Sequence, residues 1–499
     1  MKIEQVPKEI SSFLIPKPSG EVYYRCLGCN ERFGIDELLY TCPNCGSVLL
    51  LYSEGNKLLE SLDGNKWKKI FDYRKLLNYP AIKGIFLFYE FIAPVIPLSS
   101  IIYLGEGQTP VVRANSKLRD MVGQDFYFKY EGLNPSASFK DRGMACALSY
   151  IKYLSEEKGL KDIIAICAST GDTSASAALY SSYLGDNIRS VVILPEGKVT
   201  VQQLSQPLGH GSVVIEVPGV FDDCMKVVEY LSERYNVALL NSKNSWRILG
   251  QESFSFEVAQ SFDYDMKSKA VVVPIGNAGN ITAIMSGFLK FYKAGIINEL
   301  PKIIGVQSEH ADPVFRYYEQ EEGERRYVPV KVRPSVAQAA MIGDPVSMPR
   351  VIELVKEYDS ITDKRRFYVV QVKEQEIMDC MITANRNGNI VCTQGGESLA
   401  GLIRAKEKGY ISKSEVAILN STAHMLKFIS FQQMYFEDSF PPEFEVKPKD
   451  ELKNQPLKIS PEKGKDQYSE FIKDVAEKIA DILNLQYSKK YQILRNTVN

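Results

Sequence analysis

The sequence predicts an α/β fold built on two doubly wound, mostly parallel sheets. Short apolar runs of strand length recur along the chain, and each is followed by a turn of glycine or small residues and then by a helical stretch. Three such strand-and-turn units are residues 163–167 with 169–173, residues 271–275 with 276–280, and residues 416–420 with 421–424. This alternation is typical of parallel sheets covered by helices. In such folds ligands bind at the carboxyl ends of the strands, where all three turns are expected.

Length and charge limit the classes of function. The chain has 499 residues, 45% hydrophobic and 24% charged, with a formal net charge of −1. That composition suits a globular protein of two or three domains and gives no electrostatic basis for binding nucleic acid or an anionic membrane. The most apolar stretch, residues 82–98, contains Lys83, Glu90 and two prolines and is too short to span a bilayer. With no signal-peptide pattern, we expect a cytoplasmic protein with neither nucleic acid nor membrane as a partner.

Four of the nine cysteines form two Cys-x-x-Cys pairs near the N-terminus. Cys26 and Cys29 are followed, after twelve residues, by Cys42 and Cys45. This spacing predicts a zinc-ribbon-like module over residues 20–50. Four thiolates complete a tetrahedral shell, so a structural Zn²⁺ is favoured over a catalytic one, and a disulfide is less favoured in a reducing compartment. The other five cysteines are expected to be small buried side chains.

The composition changes after about residue 440, where Pro441, Pro442, Pro448 and Pro456 lie among many lysines and glutamates. Residues 431–499 are therefore predicted to form a C-terminal extension. Apolar residues then recur at helical spacing, which predicts an amphipathic helix that docks on the body of the protein or on a second subunit. These residues are Phe471, Ile472, Val475, Ile479 and Ile482.

Lys140 is the residue that first indicates chemistry. It lies in the run Glu131-Gly-Leu-Asn-Pro-Ser-Ala-Ser-Phe-Lys140-Asp-Arg-Gly143, just before a helical stretch. A lysine so placed, with glycine-rich turns downstream, indicates a Schiff base to pyridoxal phosphate. That cofactor needs one lysine, a cradle for its phosphate and a partner for its ring nitrogen. The turn at residues 276–280 is a candidate cradle, because backbone N–H groups and a helix N-terminus attract an anion.

Five runs follow one another in the chain: Gly105-Glu-Gly-Gln-Thr-Pro110, Asn134-Pro-Ser-Ala-Ser-Phe-Lys-Asp-Arg-Gly143, Ala168-Ser-Thr-Gly-Asp-Thr-Ser174, Asn241-Ser-Lys-Asn-Ser-Trp-Arg247 and Gly276-Asn-Ala-Gly-Asn280. Together they resemble the threonine synthases, pyridoxal-phosphate enzymes of the tryptophan-synthase-β type. The resemblance covers residues 100–430. It implies a fold type II enzyme in which residues 51–135 and 236–430 form a large cofactor-binding domain and residues 136–235 form a small α/β domain.

The resemblance implies how the cofactor is held. Lys140 matches the Schiff-base lysine, whose freed amine can move protons. Thr422 matches the partner of the pyridine nitrogen, where a hydroxyl makes the ring a weaker electron sink than a carboxylate would. Asp172 stands where several relatives place an asparagine against the ring hydroxyl, which requires a protonated or proton-sharing carboxyl. The loop matched to the cofactor phosphate consists of Gly276, Asn277, Ala278, Gly279 and Asn280.

The resemblance also implies a second phosphate site, for the substrate. A guanidinium fork with several hydroxyls suits a phosphate dianion. The run Pro135-Ser-Ala-Ser138 departs from the Pro-Thr-Gly-Ser of the family but keeps a usable hydroxyl. The residues matched to this site are Ser138, Thr173, Asn241, Ser242 and Arg247.

The implied activity is a lyase reaction of threonine biosynthesis, in which O-phospho-L-homoserine and water give L-threonine and phosphate by γ-elimination and β-replacement. Cysteate synthase, which uses phosphoserine and sulfite, shares many of these motifs, and the sequence does not separate the two substrates. A serine/threonine dehydratase is more distant, because it needs no second phosphate site. The intact Lys140, Gly276 loop and Thr422 argue against a zinc-ribbon interaction protein with an inactive body. A homodimer is a family-level expectation.

Overall fold

Three sheets organise the protein, whose computed structural model describes residues 3–161, 163–169, 171–185, 188–196, 201–219, 221–361, 364–460 and 468–486. The chain divides into two units, Met1–Pro448 and Lys449–Asn499. The strands of the first unit are β1 (Glu21–Cys26), β2 (Arg32–Phe33), β3 (Leu49–Glu54), β4 (Val111–Arg113), β5 (Asp125–Tyr130), β6 (Ile163–Ala168), β7 (Ile188–Pro195), β8 (Val213–Val217), β9 (Val237–Leu239), β10 (Lys269–Pro274), β11 (Lys302–Ser308), β12 (Phe367–Val372) and β13 (Val416–Ser421).

The helices of the first unit are interspersed with its strands along the chain, and the last described helix belongs to the second unit. They are α1 (Lys8–Ser11), α2 (Lys57–Ser61), α3 (Gly64–Leu76), α4 (Tyr89–Ile92), α5 (Ser116–Val122), α6 (Lys140–Glu157), α7 (Asp172–Leu184), α8 (Val201–Gly209), α9 (Phe221–Ser232), α10 (Ser245–Gln251), α11 (Ser253–Ser261), α12 (Gly279–Lys293), α13 (Pro313–Glu319), α14 (Met348–Ile361), α15 (Glu374–Arg386), α16 (Thr393–Glu407), α17 (Ile429–Glu437) and α18 (Tyr468–Ile482).

The largest sheet has the strand order β12-β11-β10-β13-β5-β4. All its neighbouring strands are parallel except β4 and β5, which pair antiparallel. In β10 the run Val271, Val272 and Val273 is fully buried, as expected of a strand covered by helices on both faces. Because β10 pairs with β13, the loops that follow these two strands leave the sheet side by side, which places the two predicted cofactor turns together.

A second sheet has the order β8-β7-β6-β9 and is parallel throughout. The predicted strand at residues 163–167 is β6, and the small-residue helix predicted after it is α7. Strand β9 belongs to this sheet although it begins at Val237, just beyond the boundary predicted at residue 235. The α/β class with parallel sheets, predicted from the alternation of strands, turns and helices, is confirmed.

The apolar stretch at residues 82–98 lies in an aromatic core. Phe91 packs edge-on against Phe291 with 5.4 Å between the ring centres, and both rings are buried. Glu90, the charge that interrupts the stretch, forms a buried ion pair with Arg74 at 2.6 Å. The stretch is therefore interior helix and loop, as predicted. Among the described residues, no helix combines the length and apolar character that crossing a membrane requires.

The N-terminal sheet is small and antiparallel, with the order β2-β1-β3. In its ladder Cys26, the last residue of β1, stands opposite Leu49, the first residue of β3. The second unit of the chain contains α18, which confirms the predicted terminal helix. Its apolar residues Phe471 and Ile482 are exposed, and what they dock against stays a prediction.

Candidate active site and cysteine cluster

Lys140 is the first residue of α6, where the sequence placed it. Backbone hydrogen bonds tie the loop before it to the residues after β13. Phe139 N donates to the carbonyl oxygen of Thr422 at 2.9 Å, and His424 N donates to that of Ala137 at 3.0 Å. Lys140 and Thr422 consequently open onto the same cavity.

A buried ion network anchors the first turn of α6. The Arg142 guanidinium donates to Glu131 at 2.6 Å and to Glu257 at 2.6 and 2.7 Å, and Lys129 Nζ donates to Glu257 at 2.6 Å. Burial alone would raise the pKa of Glu257, but Arg142 and Lys129 hold that pKa at about 2. The carboxylates of Glu131 and Glu257 thus balance the charges of Arg142 and Lys129. The network therefore adds no net charge near Lys140.

The electrostatic surroundings of Lys140 favour its neutral amine. Burial lowers its pKa to about 7; the positive charge of Arg247 acts in the same direction, and Asp172 opposes both. An exposed lysine has a pKa of about 10.4 and is almost fully protonated at neutral pH. A large share of the Lys140 amine is instead uncharged there and available as a nucleophile.

The predicted phosphate loop connects β10 to α12. Ala278 adopts the left-handed conformation with φ of 61° immediately before the helix. Gly276 leaves little room for a side chain, because a Cβ would lie 3.0 Å from the Cα of Ala340 and 3.1 Å from the carbonyl oxygen of Ala339. The carbonyl oxygen of Asn277 accepts a hydrogen bond from Ser347 N at 3.1 Å. The free N–H groups and partial positive charge at the start of the 15-residue α12 therefore face the end of β10.

One cavity collects most of the predicted site. It is lined by all eight predicted cofactor residues and by two of the five predicted substrate residues. These ten residues are Lys140, Asp172, Ser242, Arg247, Gly276, Asn277, Ala278, Gly279, Asn280 and Thr422.

The other three predicted substrate residues lie outside the cavity wall. Ser138 is fully buried, and its Oγ accepts a hydrogen bond from Lys140 N at 3.4 Å. The amide of Asn241 accepts from Ala168 N at 3.0 Å and donates to Ala168 O at 2.7 Å, which extends the pairing of β9 with β6. Thr173 is half-buried in the first turn of α7.

Arg247 is a buried cation with no counterion among the residues that the structure describes. Its side chain is 3% exposed. One terminal nitrogen donates to the carbonyl oxygen of Leu240 at 2.9 Å, whereas Nε has no hydrogen-bond partner in the described structure. No carboxylate among the described residues lies at ion-pair distance from it, and burial lowers its pKa to about 10. A desolvated guanidinium at a cavity wall is suited to an anionic ligand.

Asp172 has a counterion that the sequence analysis missed. Its carboxylate is buried at the start of α7, and Oδ1 lies 3.6 Å from Nζ of Lys427. Lys427 also donates a short hydrogen bond to Gln206. The cation lies in the same run as Thr422, but no local pattern indicates that it reaches across the site to Asp172.

Further cavity residues were also missed. The most informative is Gln394, near the start of α16, whose Oε1 accepts from the thiol of Cys392 at 3.3 Å. Its Nε2 is buried with no hydrogen-bond partner among the residues described. The glycine pair after it, in Thr393-Gln-Gly-Gly396, was the available signal. The full set of unpredicted lining residues is Phe139, Ile248, Gln251, Pro274, Ala339, Ala340 and Gln394.

These features fit a phosphate-bearing ring. The amide Nδ2 of Asn280 and Nε2 of Gln394 are buried donors without a partner in the described parts of the chain, and both residues line the cavity. A buried donor left unpaired costs roughly 1–3 kcal/mol, so an acceptor at this position is favoured. The helix N-terminus, the absence of a side chain at Gly276 and the neutral amine of Lys140 supply the remaining requirements.

The four N-terminal cysteines converge. The Sγ atoms of Cys26 and Cys45 are 3.4 Å apart, those of Cys29 and Cys42 are 3.6 Å apart, and all four lie within 4.8 Å of one another. Sulfurs at about 2.3 Å from a tetrahedral Zn²⁺ are about 3.8 Å apart, so the cluster has the dimensions of such a site. A Cβ on Gly28 would lie 2.3 Å from the Ser47 hydroxyl, which explains the glycine in the first knuckle.

Comparison with known proteins agrees with this geometry. Residues 102–422 match the family described as "Pyridoxal-phosphate dependent enzyme". The threonine synthase of Methanocaldococcus jannaschii is 34% identical over 404 residues, covering 81% of this chain and 92% of that protein. The threonine synthase of Methanosarcina acetivorans is 32% identical over 81% of this chain and 92% of its own length. The crystal structure of threonine synthase from Escherichia coli, at 19% identity, shares the fold with a TM-score of 0.63 over 91% of this chain and 94% of that one. This chain belongs to the pyridoxal-phosphate dependent enzymes and, within them, to the threonine synthases.

Proposed function

We propose that this chain converts O-phospho-L-homoserine and water to L-threonine and phosphate. The observation that carries the proposal is that one cavity holds Lys140 together with two elements suited to anions, the loop before α12 and the buried Arg247 guanidinium. A phosphorylated amino acid and a phosphorylated cofactor, present together, need two such elements. A dehydratase acting on an unphosphorylated amino acid would need only the first.

Each part of the cofactor is assigned to a different group of cavity residues. Pyridoxal phosphate, when bound, supplies an electron sink for the charge that develops on the substrate. We assign its aldehyde carbon to Lys140, its phosphate to residues 276–280 and its ring nitrogen to the Thr422 hydroxyl. The ring hydroxyl is assigned to Asp172, whose carboxylate can face it because the nearby Lys427 cation offsets the repulsion between two anions.

Lys140 moves the protons. A pKa of about 7 lets its amine accept the proton from the substrate α-carbon and release it again at the same pH. The hydrogen bond from Phe139 N to Thr422 O keeps the start of α6 at a constant position against the end of β13 while the amine changes its charge.

Arg247 and Ser242 are assigned to the substrate phosphate. The guanidinium binds the dianion and stabilises the charge on it as the phosphate departs from the γ-carbon. Thr173 and Ser138 are assigned to the same group on their resemblance to the family. The amide of Asn241 is already engaged with Ala168, so we assign it to holding the turn after β6 rather than to direct contact.

The remaining parts have supporting roles. Residues 20–50 are proposed to bind one structural Zn²⁺ through Cys26, Cys29, Cys42 and Cys45. Residues 51–135 with 236–430 are proposed as the cofactor domain and residues 136–235 as the small domain. The two larger sheets support a division of this kind, because β4, β5 and β10–β13 form one of them and β6–β9 form the other. Strand β9 moves the second boundary of the small domain from residue 235 to just beyond Leu239.

Product analysis of the purified holoenzyme tests the activity. Phosphohomoserine should give threonine and phosphate in equal amounts, and phosphoserine with sulfite should give no cysteate. Borohydride reduction should link the cofactor to Lys140, and the Lys140→Ala variant should lose both the link and turnover. Cysteate as the main product would replace the proposal with cysteate synthase. Cofactor binding without phosphate release from either substrate would refute both activities.

A further inference from the structure

We call residues 20–54, which contain the four clustered cysteines and strands β1–β3, the cysteine module. It contacts the segment that carries Arg247. We call residues 239–247 the substrate-phosphate segment. At its start, Leu239 N donates to the hydroxyl of Tyr40 at 2.9 Å. Near its end, Trp246 Nε1 donates to the hydroxyl of Tyr24 at 2.9 Å. Trp246 and Tyr24 are each 1% exposed. Two tyrosines of the cysteine module therefore hold the segment at both ends.

A further link between the cysteine cluster and this segment is the carbonyl oxygen of Leu49. It accepts hydrogen bonds from the Ser245 hydroxyl at 2.8 Å and from Nε and Nη2 of Arg350 at 2.9 and 2.6 Å. Leu49 stands directly opposite Cys26 in the ladder of β1 and β3. A cluster cysteine and the anchor of the substrate-phosphate segment are thus partners on adjacent strands.

Arg350 extends this link into the cavity wall. Its guanidinium donates to the carbonyl oxygens of Ser242 at 3.1 Å and Lys243 at 3.0 Å, and to the Ser347 hydroxyl at 3.0 Å. Ser347 N in turn donates to the carbonyl oxygen of Asn277 in the cofactor loop. The direct bonds go to the substrate-phosphate segment, whereas the cofactor loop is reached only through Ser347.

The environment of Arg350 indicates that its side chain fixes the positions of the groups around it and contributes little to the free energy of unfolding. The side chain is 0% exposed, and in the part of the chain that the structure describes its guanidinium meets neutral oxygens and no carboxylate at ion-pair distance. A buried charged group without a counterion contributes little net stability to the fold. When all its donors are hydrogen-bonded, however, such a group specifies a single arrangement of the acceptors around it.

We propose that Arg350 is a positioning residue through which the metal-bearing cysteine module sets the affinity of the active site for the substrate phosphate. It holds the backbone at Ser242 and Lys243, and with it the Arg247 side chain, in the arrangement that faces the cavity. Loss of metal displaces Leu49, loosens this arrangement and weakens phosphate binding before it affects cofactor binding. The inference rests on the proposed function, because it takes Arg247 as the phosphate ligand.

Three variants of the zinc-loaded holoenzyme test the role. Arg350→Lys keeps the charge but loses the planar fork. Ser245→Ala keeps the Arg350 side chain but removes one donor to Leu49 and one acceptor of Arg350 Nη2, which lies 3.3 Å from the Ser245 hydroxyl. Arg32→Ala is the control, because its guanidinium pairs with Glu54 on the exposed surface of the same module. Measured quantities are the Kd of inorganic phosphate, KM and kcat for phosphohomoserine, and the absorbance of the bound cofactor.

We expect Arg350→Lys to raise the phosphate Kd and the KM about tenfold, with kcat changed less and cofactor absorbance unchanged. Ser245→Ala should act in the same direction by about threefold, and Arg32→Ala should match the wild type. Removal of zinc by a chelator should weaken phosphate binding in the wild type by a similar factor. It should add little in Arg350→Lys, because both changes act through the same contacts.

Two results would overturn the inference. The first is a phosphate affinity equal to that of the wild type in both Arg350→Lys and Ser245→Ala. The second is that zinc removal weakens phosphate binding by the same factor in Arg350→Lys as in the wild type. If Arg350→Lys does not fold, the Ser245→Ala and chelation measurements decide. Wild-type turnover judges the proposed function separately. A protein whose phosphate affinity responds to Arg350 and zinc but which leaves phosphohomoserine intact keeps this inference and loses that function.

Discussion

The backbone nitrogen of Phe139 donates to the carbonyl oxygen of Thr422 at 2.9 Å, which joins the residue before Lys140 to the residue after β13. The bond uses only main-chain atoms. This bond does not involve the Thr422 side chain, so we expect that the hydroxyl can be removed without displacing the lysine loop. This separates the chemical role of Thr422 from its structural role in an experiment.

Replacement of the hydroxyl should weaken cofactor binding modestly. Thr422→Val keeps the shape and the backbone bond but removes the proposed partner of the ring nitrogen. One hydrogen bond contributes about 0.5–1.5 kcal/mol, so we expect the Kd of pyridoxal phosphate for the apoprotein to rise about 3–10-fold in an absorbance titration. Cys392→Ala is the control, because its sulfur lies 3.6 Å from the Thr422 hydroxyl but outside the cavity wall. Equal losses in both variants would show that local packing, rather than the ring nitrogen, is responsible.

The lowered pKa of Lys140 predicts an unusual pH dependence of cofactor uptake. The neutral amine is the reacting form, so its fraction rises with pH through the pKa of about 7 and levels off above about pH 8. Stopped-flow absorbance on the apoprotein should show this profile for the rate of uptake. A rate that keeps rising towards pH 10 would mean that the amine has the pKa of an ordinary exposed lysine.

Two variants should shift that profile in opposite directions. The charge of Arg247 lowers the pKa of Lys140 and that of Asp172 raises it. Arg247→Met should therefore move the midpoint to higher pH, and Asp172→Asn should move it to lower pH. Shifts in the same direction would indicate a general change of solvation instead of these two charges.

The cysteine cluster should contain one Zn²⁺ per chain. Metal analysis should show its loss in Cys29→Ser, accompanied by faster hydrogen exchange in residues 20–54, because structural zinc contributes on the order of 10 kcal/mol to the folding of small modules. Cys380→Ser, which changes a cysteine outside the cluster, should retain the metal. Native protein that contains neither zinc nor iron would exclude a metal ribbon.

The parts of the site that could be predicted are local, and the parts that could not are contacts between distant segments. The loop after β10 is encoded within a few residues, by a buried apolar strand, glycines and a helix start. The contact of Arg350 with Leu49 spans 301 residues and that of Asn241 with Ala168 spans 73. Such pairings depend on how the sheets and the cysteine module pack together, and no periodicity or spacing in the sequence specifies them. The amide of Asn241, which the resemblance assigned to the substrate phosphate, forms hydrogen bonds with Ala168 that no local pattern indicates.

Arg247 provides the most direct test of substrate recognition. Its guanidinium is buried at the cavity wall without a counterion among the described residues, and we assign it to the phosphate of phosphohomoserine. Charge-assisted hydrogen bonds contribute roughly 1.5–3 kcal/mol each, and a fork makes two, so Arg247→Ala should lower kcat/KM about 10²-fold or more. Arg247→Lys should recover only part, because an ammonium keeps the charge and loses the fork.

Selectivity for the phosphate is the decisive measurement on these variants. Binding of homoserine, which lacks the phosphate, should change little in Arg247→Ala, and the cofactor should remain bound with its absorbance unaltered. If homoserine and phosphohomoserine lose affinity equally, or if cofactor is lost together with activity, Arg247 acts on the architecture of the cavity and not on the substrate phosphate. The distinction matters because the Lys140 loop and the Gly276 loop are assigned only to the cofactor, whereas Arg247 is the group that we assign to the phosphate of the substrate.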